Sequence, residues 1–408
     1  MGLPLNNYYH KNITMKSVYD IAIIGGGFCG LTAALCLAKA NPNLKIALIE
    51  KNDIINQQRT RDGRVFAISK KSADLFADIG IEQELKQNAG IIADIMITGS
   101  ASPFYLHFDG SEVNKKQPFM GLVIESFNVY NALRKAVLEQ KNIKLICPAY
   151  YQDVSFCEEY AKVILDDNQL IKAKLLIATD GRNSPLRQKF NIRTFEKSYN
   201  QAAIVFNITH QKPHNNIAWE KFLPQGPFAI LPMHESNQSS IIWTVKSDMA
   251  DAIISLDQEN FLQQLNKRIG DSLGDIKVSA SPFRYDLNLI TANSYFFGRM
   301  VLVGDSAHAI HPIAGQGFNL GVSDIAVLTD LVKEHFECGL DIGDSILLES
   351  YQRARKLSAS KMILATDGLN DLFSNNILPV KWIRELGLAA VEKFPELKKF
   401  FIRNAGGN

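Results

Sequence analysis

The sequence predicts an α/β fold: a nucleotide-binding layer of parallel strands, an inserted mixed β-sheet, and C-terminal helices. Three observations predict it. Near the start, the apolar run Tyr19 to Ile24 meets Gly25-x-Gly27-x-x-Gly30, a helical stretch, and a second apolar run that ends at Glu50. Far downstream, Met300 to Val303 is closed by Gly304-Asp305, and a glycine-marked helix start follows at Gly315-Gln316-Gly317. In between, short strand-like runs alternate with turn residues, which is the sequence form of a sheet with one buried face.

At 408 residues the chain exceeds one ordinary domain, and 46% hydrophobic with 21% charged residues is the profile of a soluble globular protein. A net charge of +2 leaves no electrostatic footprint for nucleic acid. Five cysteines (Cys29, Cys36, Cys147, Cys157, Cys338) stand without a CxxC pair, which argues against zinc, iron–sulfur or disulfide frameworks and suits reduced cytoplasmic thiols. Residues 1–17 lack a signal-peptide pattern and are read as a flexible tail, with Met15 a candidate start. The uncharged run Ile21 to Ala38 is broken by three glycines, so it is not taken as a membrane span. The expectation is a cytoplasmic protein, soluble or peripheral to the inner membrane.

The first unit is a complete βαβ: strand Tyr19 to Ile24, helix Leu31 to Ala40 stopped by Asn41-Pro42, strand Lys45 to Ile49. Glycines at its first turn let a pyrophosphate approach the backbone, the helix dipole favours that charge, and an acid such as Glu50 can bind a ribose hydroxyl. Residues 57–69, QQRTRDGRVFAIS, are unusually basic. A helix from Lys71 to Ile79 ends at Gly80. Residues 91–125 read as a small sheet beside the nucleotide layer, followed by a helix from Asn128 to Glu139 and strands at Lys144 to Ile146, Lys162 to Leu165 and Leu170 to Ile177. These lead into Asp180-Gly181-Arg182-Asn183-Ser184-Pro185-Leu186-Arg187, a turn with a helix cap.

No second GxGxxG occurs, so a nicotinamide dinucleotide would dock only transiently. Residues 191–282 are expected to form the second domain, with strands at Gln201 to Thr209, Phe228 to Pro232 and Ser240 to Val245. The nucleotide domain takes 18–190 and 283–350, and 351–408 is a helical segment whose last part, Val380 to Arg403, mixes aromatic and basic residues. His308 and His311 form an HxxH pair, but in a loop beside Pro312 and without a third ligand nearby in sequence; no metal is expected.

The stretch GDSAHAIHPIAGQGFNLGVSD (residues 304–324) resembles the second FAD motif of the class A flavoprotein aromatic hydroxylases, and its HPIAGQGFNLG form looks most like the ubiquinone-biosynthesis branch. The DGRNSPLR segment matches that family's DG motif, and AWEKFLPQGPFAILPM (218–233) looks like the strands that roof its flavin. The resemblance spans residues 18–403 and implies a p-hydroxybenzoate hydroxylase-like fold. It also implies FAD contacts at Gly25, Gly27, Gly30, Glu50, Arg64, Asp180, Gly181, Gly304, Asp305, Gly315, Gly317 and Asn319. Pro312, Gly315, Gln316 and Gly317 would form the flavin-positioning loop, where a helix N-terminus stabilises the charge on the reduced ring. Apolar substrate contacts would be Phe222, Phe228, Leu231 and Trp243, although for each aromatic core packing is the simpler account. The implied activity is hydroxylation of a polyprenylated phenol with NADH or NADPH and dioxygen, through a C4a-hydroperoxide. Peripheral membrane contact or a ubiquinone-biosynthesis complex is the implied setting. A flavin dehydrogenase or reductase of the same fold, or a non-catalytic FAD-binding scaffold, remains the alternative.

Overall fold

The structure, a computed structural model, describes residues 14–99, 105–112, 119–310 and 316–374. The tail, Pro312, Gly315 and the segment from Val380 to Arg403 therefore lie largely outside the described residues. Where the tail was expected to run to 17, strand β1 (Thr14–Ile24) already begins at Thr14 and pairs in parallel with β11 (Gln169–Ala178) from there on. Backbone pairing thus draws Thr14 to Ser17 into the sheet.

Four adjacent parallel strands form the centre of the first sheet: β19 (Met300–Leu302), β11, β1 and β2 (Ile46–Ile49). β8 (Ile143–Ile146) extends it in parallel beyond β2, and the short β18 (Phe296–Phe297) edges the other side antiparallel. Ile21 to Ile24, Ile46 to Ile49 and Leu175 to Ala178 are buried throughout, the unbroken apolar run expected of a parallel sheet covered on both faces. β9 (Tyr151–Phe156) and β10 (Ala161–Leu165) attach to β11 as an antiparallel meander. Helices α1 (Phe28–Ala40), α4 (Ser126–Glu139), α8 (Gln316–Glu337) and α9 (Ser345–Ser374) contribute the layers around this core.

The second sheet has nine strands: β20 (His308–Ala309), β17 (Phe283–Ala292), β12 (Thr194–His210), β15 (Gln238–Lys246), β14 (Gly226–Pro232), β13 (Ile217–Leu223), β5 (Asp94–Gly99) and β6 (Tyr105–Asp109) in that order, with β16 (Ile276–Val278) on β12. One face carries α7 (Gln258–Ile269) on a core of Phe206, Ile230, Trp243 and Phe261. The short α6 (Ser247–Ile254) follows β15 on that side.

Two expected boundaries move. Phe283 to Ala292 was assigned to the nucleotide domain, but as β17 it pairs with β12 along its whole length and so belongs to the second sheet, which β20 continues at His308–Ala309. Residues 91–125 do not make one small sheet. β5 and β6 join the nine-stranded sheet through parallel pairing of β5 with β13, while β4 (Ala89–Ile92) and β7 (Gly121–Glu125) pair with β3 (Val65–Ser69) in a separate three-stranded sheet. Helices α2 (Lys70–Asp78) and α3 (Glu82–Lys86) connect β3 to β4.

Candidate active site

The C-terminal ends of the four central parallel strands bring the sequence-marked residues into one row. Asp305 follows β19, Asp180 follows β11, the glycine turn follows β1 and Glu50 follows β2, and these strands are consecutive neighbours. With strands about 4.8 Å apart, three intervals span roughly 14 Å, a length suited to an extended dinucleotide.

Close packing dictates the glycine turn. Gly25 has φ of +106°, and a Cβ there would stand 2.5 Å from the Thr179 carbonyl oxygen. A Cβ at Gly30 would meet the Gly25 carbonyl oxygen at 1.8 Å, so α1 can press on the turn only without one. Gly27 differs: a Cβ there would meet nothing within 4 Å, which leaves the N-terminus of α1 open on its ligand side. Glu50 is buried and accepts the Gly26 N–H at 2.5 Å through Oε2, while Oε1 accepts from the backbone and side chain of Asn52. The acid thus ties the second strand to the glycine turn.

At the middle of the row, α5 (Pro185–Lys189) is capped by Ser184, which accepts the Arg187 N–H. Asp180 accepts the Leu186 N–H through Oδ2, whereas its Oδ1 is buried without a partner among the described residues. Burial raises the Asp180 carboxyl above the ordinary range, against the hydrogen bonds from Ser184 and Leu186. Gly181, with φ of +89°, again presents open space where a Cβ would be. Arg187 is buried and donates to the carbonyls of Ser306 and Arg182, so it joins this turn to the one after β19.

That last turn rests on residues the sequence did not mark as a site. Gly304, with φ of +66°, packs against Cys29, whose Sγ would lie 2.6 Å from a Cβ there. Its N–H donates at 3.0 Å to Asp324, a fully buried carboxylate that also lies 2.7 Å from His308 Nε2 and accepts from Arg355 Nε at 2.6 Å. Burial alone would raise Asp324, but the charges and hydrogen bonds of His308 and Arg355 outweigh it and hold the carboxyl below its usual range. Asp305 is exposed at this turn although protein surrounds it closely. The surrounding protein raises its pKa, with Arg182 and His308 opposing.

His308 is thereby committed to Asp324, and His311 lies outside the described residues. Gln316 opens α8, and among the described residues a Cβ at Gly317 would meet nothing within 4 Å. Asn319 uses its side chain on β3, accepting the Ser69 N–H at 2.9 Å and donating to the Ala67 carbonyl at 2.8 Å. This clamp fixes the first turn of α8, so an Asn319 contact to cofactor would fall to its backbone. Arg64 is half exposed and paired with Asp62 at 2.5 Å.

The four proposed substrate contacts divide between the faces of the second sheet. Phe228 and Trp243 sit on the α7 face, inside a core with Phe261, so they are packing residues. Phe222 and Leu231 lie on the other face, where Leu231 packs with Val65, Ala67 and Val123 of the three-stranded sheet. Strict alternation along β14 separates Phe228 from Leu231, and a list by residue type cannot see that division.

The residues present fit a flavin dinucleotide: an open helix N-terminus, a row of acids along the strand ends, and glycine positions reserved for something other than protein. Comparison with known proteins agrees. Residues 18–366 match the family described as FAD binding domain, and the chain belongs to it, as a class A flavoprotein monooxygenase of the ubiquinone-hydroxylase branch. A ubiquinone hydroxylase, UbiL, of Rhodospirillum rubrum is 36% identical over 394 residues, covering 96% of this chain and 90% of the relative. Ubiquinone hydroxylase UbiM of Neisseria meningitidis is 29% identical, covering 97% and 86%. Among solved structures, p-nitrophenol 4-monooxygenase PnpA of Pseudomonas putida superposes with a TM-score of 0.77 at 16% identity, covering 96% of this chain and 98% of that one, a likeness of fold.

Proposed function

We propose that this chain hydroxylates the aromatic ring of a polyprenylated phenol in ubiquinone biosynthesis, using FAD, NADH or NADPH, and dioxygen. The observation that carries the reading is the row Asp305, Asp180, Gly25 to Gly27 and Glu50 across four adjacent strand ends, with the N-terminus of α8 beside it. Bound FAD supplies the electron transfer and oxygen activation that no side chain can.

The protein supplies binding, orientation and exclusion of water. The first turn of α1 offers N–H groups to a pyrophosphate, and Glu50, Asp180 and Asp305 offer acceptors to sugar or ribityl hydroxyls. The N-terminus of α8, fixed by the Asn319 clamp, would offer a positive dipole end to the negative charge of a reduced ring. The apolar wall of Ala218, Ala229, Leu231 and Ile242 keeps water from the reacting face.

A polyprenyl tail partitions into a bilayer, so peripheral membrane contact belongs to the proposal. Arg353, Leu357, Lys361 and Leu364 recur at helical spacing on the exposed face of α9, with Leu357 60% and Leu364 74% accessible. Among the described residues no helix is long and apolar enough to cross a membrane. Incubation of the FAD-loaded chain with NADH or NADPH and a 2-prenylphenol, with and without oxygen, tests the function: a new ring hydroxyl is expected only with oxygen, and an oxygen-independent product would point to a dehydrogenase.

A further inference from the structure

Glu220 lies in β13, where alternation sets Ala218, Glu220 and Phe222 on one buried face. Its cross-strand neighbours there are Ala229 of β14 and Ile97 of β5. This face turns toward the cofactor side. Ala218, Ala229 and Leu231 pack on Val65 and Ala67 of β3, the same strand that Asn319 clamps to the first turn of α8. Glu220 thus stands among the apolar side chains of Ala218, Phe222, Ala229 and Ile97, while farther along the same face Ser240, opposite Leu231, and Asn207 are also polar and buried.

The residue is 9% exposed, and among the described residues no hydrogen bond or ion pair engages its carboxyl. Its sequence neighbour Lys221 lies on the opposite face and donates to the carbonyls of Arg268 and Ile269. A buried polar group left unpaired costs free energy, and such groups concentrate where a ligand completes them. We propose that Glu220 supplies the hydrogen bond that positions the phenol oxygen of the aromatic substrate, an inference that rests on the hydroxylase reading above. Burial pushes its pKa up to about 8, so at neutral pH it is mostly the uncharged acid. That form can donate to and accept from a phenol hydroxyl, whereas a carboxylate could only accept.

The test uses the FAD-loaded full chain with 2-geranylphenol as probe, comparing wild type with Glu220→Leu and Glu220→Gln. Probe affinity is read from the flavin absorbance change, coupling from product and hydrogen peroxide per NAD(P)H, and fold from melting of the FAD-free protein. Glu220→Leu is expected to hold FAD and melt no lower, yet to bind the probe about 5- to 100-fold more weakly and release peroxide instead of product. Glu220→Gln, which keeps a donor and an acceptor, is expected to stay within about threefold of wild type. Should the Leu variant not fold, Glu220→Met takes its place. A Leu or Met variant that binds and hydroxylates the probe like wild type overturns the inference alone, as does a Gln variant as impaired as the apolar one. A wild type that ignores the probe overturns the hydroxylase reading and this inference with it.

Discussion

Asp324 accepts from Gly304, His308 and Arg355 at once, so one buried carboxylate sets the turn that presents Asp305. Breaking such a network leaves Arg355 charged and unpaired in the core, a loss of about 3–5 kcal/mol. Asp324→Asn is therefore expected to lower the melting temperature sharply at pH 7, as calorimetry can show. The sign with pH follows from the lowered carboxyl: its contribution is present in full above the ordinary aspartate pKa and is lost as pH falls through the depressed one. The gap between wild type and variant should accordingly narrow in acid. Asp305 has the opposite character, exposed at the turn, and Asp305→Ala should leave melting of the FAD-free protein unchanged. Removing a charge-assisted hydrogen bond there should weaken FAD by roughly 10- to 150-fold, measured by equilibrium dialysis. Asp305 is legible in sequence because it closes a strand. Asp324 and Arg355 are 31 residues apart on different helices, and only packing reveals their contact.

At the scale of elements, helix α8 joins fold to chemistry. Its first turn is clamped to β3 by Asn319, and Gly317 in that turn has free space beside it. Among the described residues alanine there meets no atom within 4 Å, and it gains helix propensity, so Gly317→Ala should fold normally. If the flavin ring occupies that space, as proposed, a Cβ there should displace it, and a shift of about 1 Å can cost on the order of 100-fold in rate. NAD(P)H consumption with hydrogen peroxide in place of hydroxylated product is the expected result; full coupling would show that the glycine does not face the ring. The βαβ unit was legible because strand run, glycine turn and helix are local in sequence. The assignment of β17 and of β5 with β6 was not, because it depends on which distant strand each one pairs with. β17 pairs with β12 and β5 with β13, partners separated by long stretches of chain. Likewise, Phe228 and Leu231 are both apolar and buried, but only the sheet's pleat tells which of them faces α7.

For the whole molecule, the nine-stranded sheet turns one face to its own helix α7 and the other to the three-stranded sheet. A site between these layers can hold a ring away from water while both cofactor and substrate reach it from the protein's edges. The central claim, that this arrangement inserts oxygen into a phenol, is tested most directly with isotopic dioxygen. The FAD-loaded chain is supplied with NAD(P)H, 2-geranylphenol and ¹⁸O₂, and the product is analysed by mass. One ¹⁸O atom per new ring hydroxyl, with no conversion under argon, is the predicted result; a product formed equally well under argon, or carrying oxygen from water, would contradict it.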